Sequence, residues 1–254
     1  MLLALTRPVS PAIARCELTH LARTPIDAAR AREQHAAYER ALAAAGCRVE
    51  RIAAGDDLPD SVFIEDTAVV LDEIAIVTRP GAPSRRGEVA AVADILRQYR
   101  DVAAIEEPGT LDGGDVLVVG RRLFAGRSTR TNDSGIEQLR AAAARHGYTT
   151  EAVDVRGCLH LKSAVTVVDD DALLVNPDWI PTRVFDEFNC VAVDPAEPLA
   201  ANALRVESRI VYPESFPATC DRLERYGFSV QRVDVSELQK AEGAVTCCSL
   251  VFRT

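Results

Sequence analysis

The chain closes on Val245-Thr246-Cys247-Cys248-Ser249-Leu250-Val251-Phe252, an adjacent cysteine pair running into a short apolar strand. Leu2-Leu3-Ala4-Leu5-Thr6, at the other end of the sequence, reads as the second strand of the same unit. Working inward, four further stretches have the same layout, a polar cluster followed by an apolar hairpin. They begin at Glu65-Asp66, at Asp112-Gly113-Gly114-Asp115, at His160-Leu161-Lys162-Ser163 and at Ala201-Asn202, spaced roughly 42 to 48 residues apart. A recurrence of that length is in the range of propeller-like repeats.

Each recurrence predicts two strands, a helix and a closing strand. The first has strands over 67–71 and 74–78 around Asp72-Glu73, then a helix from Ser84 to about Tyr99. Val89, Val92, Ile95 and Leu96 lie at helical spacing, Ser84 is the expected N-cap, and 102–105 closes the unit. The second has strands over 115–119 and 123–126, a helix over 133–146 with Gly147 as its stop, and a strand over 150–155. The third has 164–168, 172–175, a short helix near 181–188 and 190–193. The fourth has 203–206, 209–212, a helix from Pro217 to Tyr226 and a strand over 229–235. The split unit pairs 248–252 with 2–6. Its helix runs over about 25–45, with Pro25 at its first position and Gly46 at its end, and 47–52 closes it. Units that need neighbours to cover both faces close into a ring, which removes exposed edges. The expectation is one α/β domain over 1–254, clasped by its N- and C-terminal strands, with no Pro/Ser/Gly-rich linker inside it. The alternative is an open α/β sandwich.

Composition narrows the function. A formal charge of −9 argues against nucleic acid, which needs clustered cations. No run of 18 apolar residues offers a membrane span, and the first residues lack the basic start of a signal peptide. The seven cysteines form no C-x-x-C pair, so a structural zinc site is not expected. Neighbouring cysteines do not readily form an unstrained disulfide, so free thiols and a reducing, cytoplasmic compartment are expected.

In a closed ring the groups just before each first strand meet at one end of the axis: Glu65 and Asp66, Asp112 and Asp115, His160, Asn202, and Thr246 with Cys247. Taken singly, each has an ordinary explanation: a core histidine, a packed thiol, a turn entering a hairpin, a solvated acidic pair. Together they gather a thiol, an imidazole and several carboxylates. A thiolate attacks electrophilic carbon, an imidazole carries protons both ways, and a carboxylate beside it fixes its tautomer. The surplus carboxylates suit a cation, and a planar guanidinium matches them pairwise. Such a cation would also lower the thiol pKa.

The motifs that carry these groups resemble the dimethylarginine dimethylaminohydrolases, guanidine-modifying enzymes of the pentein superfamily. The resemblance spans nearly the whole chain. It runs through Pro59–Asp66, Thr78–Ala82 with Ser84–Glu88, Pro108–Val116, Arg130-Thr131-Asn132, Leu159–Ser163, Ala200-Ala201-Asn202 and Thr246–Ser249. It implies a five-bladed α/β propeller of ββαβ units with pseudo-fivefold symmetry. It also implies hydrolysis of Nω-methylated L-arginines to L-citrulline and dimethylamine or methylamine through a covalent S-alkylthiouronium on the enzyme. Carried over by position, Cys247 is the nucleophile, His160 the general acid and base, and Asp112 a contact to the guanidinium or a support of the histidine. Glu65 and Asp66 bind the guanidinium side, and Arg85 and Arg130 hold the substrate α-carboxylate. Asp60 and the backbone carbonyls of Leu18 and Ala241 receive the α-amino group, and Cys248 packs. No metal or organic cofactor is implied, and zinc trapped at the Cys–His–Asp group would inhibit. The implied partner is a small molecule, with neither nucleic acid nor membrane, and a homodimer is open.

Other readings differ in class. Arginine deiminase makes citrulline from free arginine, usually with an additional helical insertion. Agmatine deiminase would not need Arg85 and Arg130. A non-catalytic ribosome-binding pentein would not need the intact thiol, imidazole and carboxylate set, and a redox or metal-buffering role for Cys247-Cys248 would not need His160 or Asp112.

Overall fold

Alternate residues of each middle strand pack into different apolar clusters, and this sets the architecture. The computed structural model describes residues 1–254. It holds five three-stranded sheets. The first joins β1 (Leu2–Thr6) to β2 (Arg48–Arg51), the second β3 (Ala68–Val70), β4 (Ile74–Val77) and β5 (Asp101–Ala104). The third has β6 (Val116–Val119), β7 (Arg122–Arg127) and β8 (Thr149–Asp154), the fourth β9 (Val165–Asp169), β10 (Ala172–Val175) and β11 (Asn189–Ala192). The fifth has β12 (Leu204–Val206), β13 (Arg209–Pro213) and β14 (Ser229–Val233), and β15 (Leu250–Arg253) returns to pair with β1.

The pairing repeats in every sheet. The inner strand is antiparallel to the middle one, as in β3 with β4, and the middle strand is parallel to the outer one, as in β4 with β5. In the split sheet β15 is antiparallel to β1, with Leu5 opposite Leu250, and β1 is parallel to β2. A parallel pair needs a crossover. The helices α1 (Ala28–Ala44), α2 (Val89–Leu96), α3 (Asp133–Ala144) and later α5 (Pro217–Arg225) supply it, and in the fourth sheet a 3-10 turn, Thr182–Phe185, takes that place. Two short helices, α4 (Leu161–Ala164) and α6 (Ser236–Gln239), lie outside the crossovers.

The inner strands stand side by side, β6 by β9, β9 by β12 and β15 by β3. Between neighbouring sheets lie five apolar clusters, one per seam. In β4, Ile74 and Ile76 enter one seam while Ala75 and Val77 enter the next. In β10, Leu173 and Val175 pack against the third sheet, and Ala172 and Leu174 against the fifth. Strands covered on both faces read as continuous apolar runs, which is why these hairpins stand out in the sequence. The split sheet contributes Leu3, Leu5, Leu250 and Phe252 to one seam and Ala4 to another, so it shuts the ring from both sides.

Helix starts depart from expectation. Pro25 is not the first residue of α1. Asp27 caps it, its carboxylate accepting from the Ala29 and Arg30 N–H groups. Ser84 caps nothing, because a 3-10 turn over Pro83–Glu88 precedes α2 and the Ser84 hydroxyl donates to Glu17 instead. Gly46 and Gly147 end their helices at φ +108° and +80°, where a side chain would be strained.

Candidate active site

Short helical turns lead into the inner strands and aim their side chains at the axis: Ile64–Thr67, Gly113–Asp115 and α4. They approach so closely that only glycine fits between them. A Cβ on Gly113 would stand 2.0 Å from the Glu65 carbonyl oxygen, and one on Gly114 would stand 2.6 Å from His160 Nδ1. The bare Gly114 backbone also donates its N–H to Asp66 Oδ1 at 2.9 Å.

His160 is buried between two carboxylates. Its Nε2 is 3.0 Å from Asp112 Oδ2 and its Nδ1 is 3.8 Å from Asp66 Oδ1. Burial by itself would favour neutral imidazole, but Asp66, Asp112 and Asp115 outweigh it and raise the His160 pKa to about 9. Burial also works against charge on Asp66, yet His160, Arg85 and the Gly114 N–H bring its pKa down to about 2. Asp115 is pushed up to about 6 by burial. Its oxygens accept from Leu161 N, Ser128 Oγ and Thr131 Oγ1, and Thr131 Oγ1 in turn accepts from Asp112 N at 3.1 Å. Asp115 thereby braces both halves of the His160–Asp112 pair.

Cys247 faces the same cleft as His160. Removal from water, then the charges of Glu65 and Asp66, push its thiol well up. Both shifts run the same way, favouring an imidazolium beside an un-ionised thiol. The cleft is also lined by Asp60, Asp66, Arg85, Arg130 and Ala241, together with Glu17, Phe63, Leu159, Glu242 and Gly243, and holds about 20 Å³ of free space. Arg85 pairs with Asp66 and with Glu88 and donates to the Phe63 carbonyl. Arg130 is 3.9 Å from Asp112 and donates to Thr19 Oγ1 at 3.1 Å.

A loop over residues 16–23 covers this cleft. The Glu17 N–H donates to both oxygens of Asp60 at 3.1 and 3.2 Å. The N–H groups of Thr19, His20 and Leu21 all point to the Glu242 carboxylate, and Glu242 itself adopts φ +58°.

Glu65 does not line this cleft. Its carboxylate accepts from Lys162 Nζ at 2.6 Å and Thr246 Oγ1 at 2.8 Å, and it borders a wider axial cavity of about 770 Å³ on the opposite side. Neighbouring residues of one tight turn project in different directions, so Asp66 faces the cleft and Glu65 forms the partition below it. The Leu18 side chain packs against the apolar cluster that holds Tyr38. Asn202 works from beneath, bonding Thr246 through both ends of its amide. Cys248 is buried, with its Sγ 3.4 Å from the Ala244 carbonyl. Glu17, Glu242 and Lys162 were missed from sequence. Lys162 had a usable signal, two residues after His160 at a strand mouth; the other two had none. Ligand atoms of Asp66, Asp112 and His160 lie within 4.8 Å of one another, close enough to share a cation.

The family model described as arginine deiminase matches residues 53–203. A protein of Streptomyces coelicolor named N(G),N(G)-dimethylarginine dimethylaminohydrolase is 42% identical over 252 residues, covering 98% of this chain and 96% of its own. A protein of the same name from Pseudomonas aeruginosa is 36% identical over 228 residues, covering 89% and 90%. A solved structure of the Pseudomonas aeruginosa enzyme, a serine-for-cysteine mutant complexed with citrulline, superimposes with a TM-score of 0.94 at 34% identity and 98% coverage of both chains.

Proposed function

The chain belongs to the dimethylarginine dimethylaminohydrolase family, a hydrolase of Nω-methylated L-arginines, and from that premise we propose how its cleft performs the reaction. The observation that carries the proposal is His160, lining the same narrow cleft as Cys247 and backed by the buried Asp112 at 3.0 Å.

The substrate guanidinium enters beside Asp66, which stays ionised because its pKa is about 2. The incoming positive charge favours the thiolate, and the thiol proton departs to solvent, since His160 is already protonated. The Cys247 sulfur attacks the guanidinium carbon. His160 gives its proton to the substituted nitrogen, and the C–N bond breaks to release dimethylamine or methylamine. A thiouronium remains on Cys247. A water then attacks the same carbon, the now neutral His160 takes one of its protons, and the C–S bond breaks to release the thiolate and L-citrulline, the remaining hydroxyl proton passing to solvent as the ureido C=O forms. Asp112 holds the imidazole in line in both halves. Arg130 and Arg85 stand where they can meet the α-carboxylate, and Asp60, with the Ala241 carbonyl, where it can meet the α-amino group. All seven cysteines are unpaired, which fits a reducing, cytoplasmic compartment that keeps the nucleophile as a thiol.

A colorimetric assay for the ureido product, run on arginine, monomethylarginine, dimethylarginine and agmatine, tests the reading. Citrulline is expected from the two methylated substrates, and none from Cys247→Ser. Turnover of free arginine alone would move the chain to the deiminases, and near-normal turnover by Cys247→Ser would remove Cys247 as nucleophile.

A further inference from the structure

The nucleophile sits on a tight turn whose two ends are tied to one side chain that never reaches the cleft. Tyr38, on the buried face of α1, is completely enclosed. Its hydroxyl lies 2.7 Å from the Val245 carbonyl oxygen and 2.6 Å from Ser249 Oγ. Those residues bracket Thr246-Cys247-Cys248. The proton order follows from chemistry. The carbonyl only accepts, so Tyr38 donates to Val245, and the single phenol proton is then used. Ser249 must therefore donate to Tyr38.

The middle of the turn is held separately. The Cys247 carbonyl accepts from Glu65 N at 3.1 Å, and Thr246 N donates to Asn202 Oδ1 at 3.0 Å. These bonds fix the side of the turn that faces the partition, while the Tyr38 hydroxyl bridges Val245 to Ser249 and so adds to the long 3.5 Å bond from Ser249 N–H to the Thr246 carbonyl.

We propose that Tyr38 is a positioning residue for the reaction, setting through the Val245 and Ser249 links where the Cys247 sulfur stands relative to the guanidinium carbon. The inference rests on the assignment of Cys247 as nucleophile. Nucleophilic attack is sensitive to displacements of about 1 Å, whereas the substrate-binding groups Asp60, Arg85 and Arg130 hang from other elements. Loss of the hydroxyl thus acts on the chemical step and not on binding.

Tyr38→Phe keeps the ring and removes both bonds. Its kcat on dimethylarginine is expected to fall about tenfold or more, with KM within about twofold of the wild type. Ser249→Ala, which cuts one link, should lose less, and the double variant should be no slower than Tyr38→Phe alone, as expected for two residues acting through one bond. Near-UV circular dichroism normalises each rate to native protein. A normalised kcat for Tyr38→Phe within twofold of the wild type overturns the proposal, as does a change confined to KM. If Tyr38→Phe fails to fold, Ser249→Ala decides: a normalised kcat at least threefold down at constant KM supports the role, and an unchanged kcat rejects it. Cys247→Ser is assayed in parallel, so that failure of the nucleophile assignment shows itself independently of any Tyr38 result.

Discussion

His160 shows why side chains at a convergent site cannot be judged one at a time. Flanked by Leu159 and Leu161, it reads in isolation as a core histidine; the recurrence of strand mouths made it legible as a reacting group. Its environment then sets a pH signature. The His160 pKa rises from 6.5 to about 9 in the fold, so the native state binds that proton more tightly than the unfolded chain. The stabilisation is complete below about pH 6.5 and is lost as pH climbs through 9. Thermal unfolding followed from pH 6 to 9.5 should show a steeper decline for the wild type than for His160→Gln. Arg130 makes a different prediction. Arg130→Ala should raise KM for dimethylarginine about tenfold or more with little change in kcat, since a charge-assisted bond contributes about 1.5–3 kcal/mol; steady-state kinetics checks it. Glu65 and Asp66 look alike in the sequence but have different partners in the fold. Both are acidic and adjacent, and only the course of the 3-10 turn decides that one faces the cleft and the other Lys162. Glu242 carries no cue, because its role depends on a left-handed backbone at φ +58° and a loop more than 200 residues away in sequence.

Elements were legible where packing imposes a period and less so where capping competes. The apolar hairpins announced themselves because both faces of each middle strand are covered, and their boundaries differ from expectation by a residue or two. Helix starts were harder. Pro25 suits a first helical position, but Asp27 supplies a carboxylate that accepts two backbone N–H bonds, and the helix begins after it. Ser84 has the composition of a cap, yet its hydroxyl is drawn to Glu17 across the loop. Asp27→Ala should therefore lower stability while leaving KM unchanged, seen as a lower melting temperature in thermal denaturation; Ser84→Ala should leave α2 intact.

The whole molecule is a ring of seams, and its closure depends on the sheet built from both ends of the sequence. Removing Leu250–Thr254 takes β15 from β1 and strips Leu250 and Phe252 from the seam they share with α2. The expected outcome is loss of the native near-UV circular dichroism and of a cooperative melt, not a local fraying; retention of both would mean that the ring tolerates a gap. This architecture was readable because the repeat is regular, whereas the loop over the cleft was not, because it belongs to no repeat and takes its shape from the groups it covers. That loop has a consequence for selectivity. Asp60 and Arg130 are both engaged by it: one holds the Glu17 N–H, the other the Thr19 hydroxyl. Under the roles proposed for Asp60 and Arg130, a ligand has to displace both contacts, which an ammonium and a carboxylate carried on one headgroup would do together. Guanidines without that headgroup, however well they suit the far end, would then leave the Glu17 N–H and the Thr19 hydroxyl in place, and weaker binding of agmatine than of dimethylarginine is the expected result.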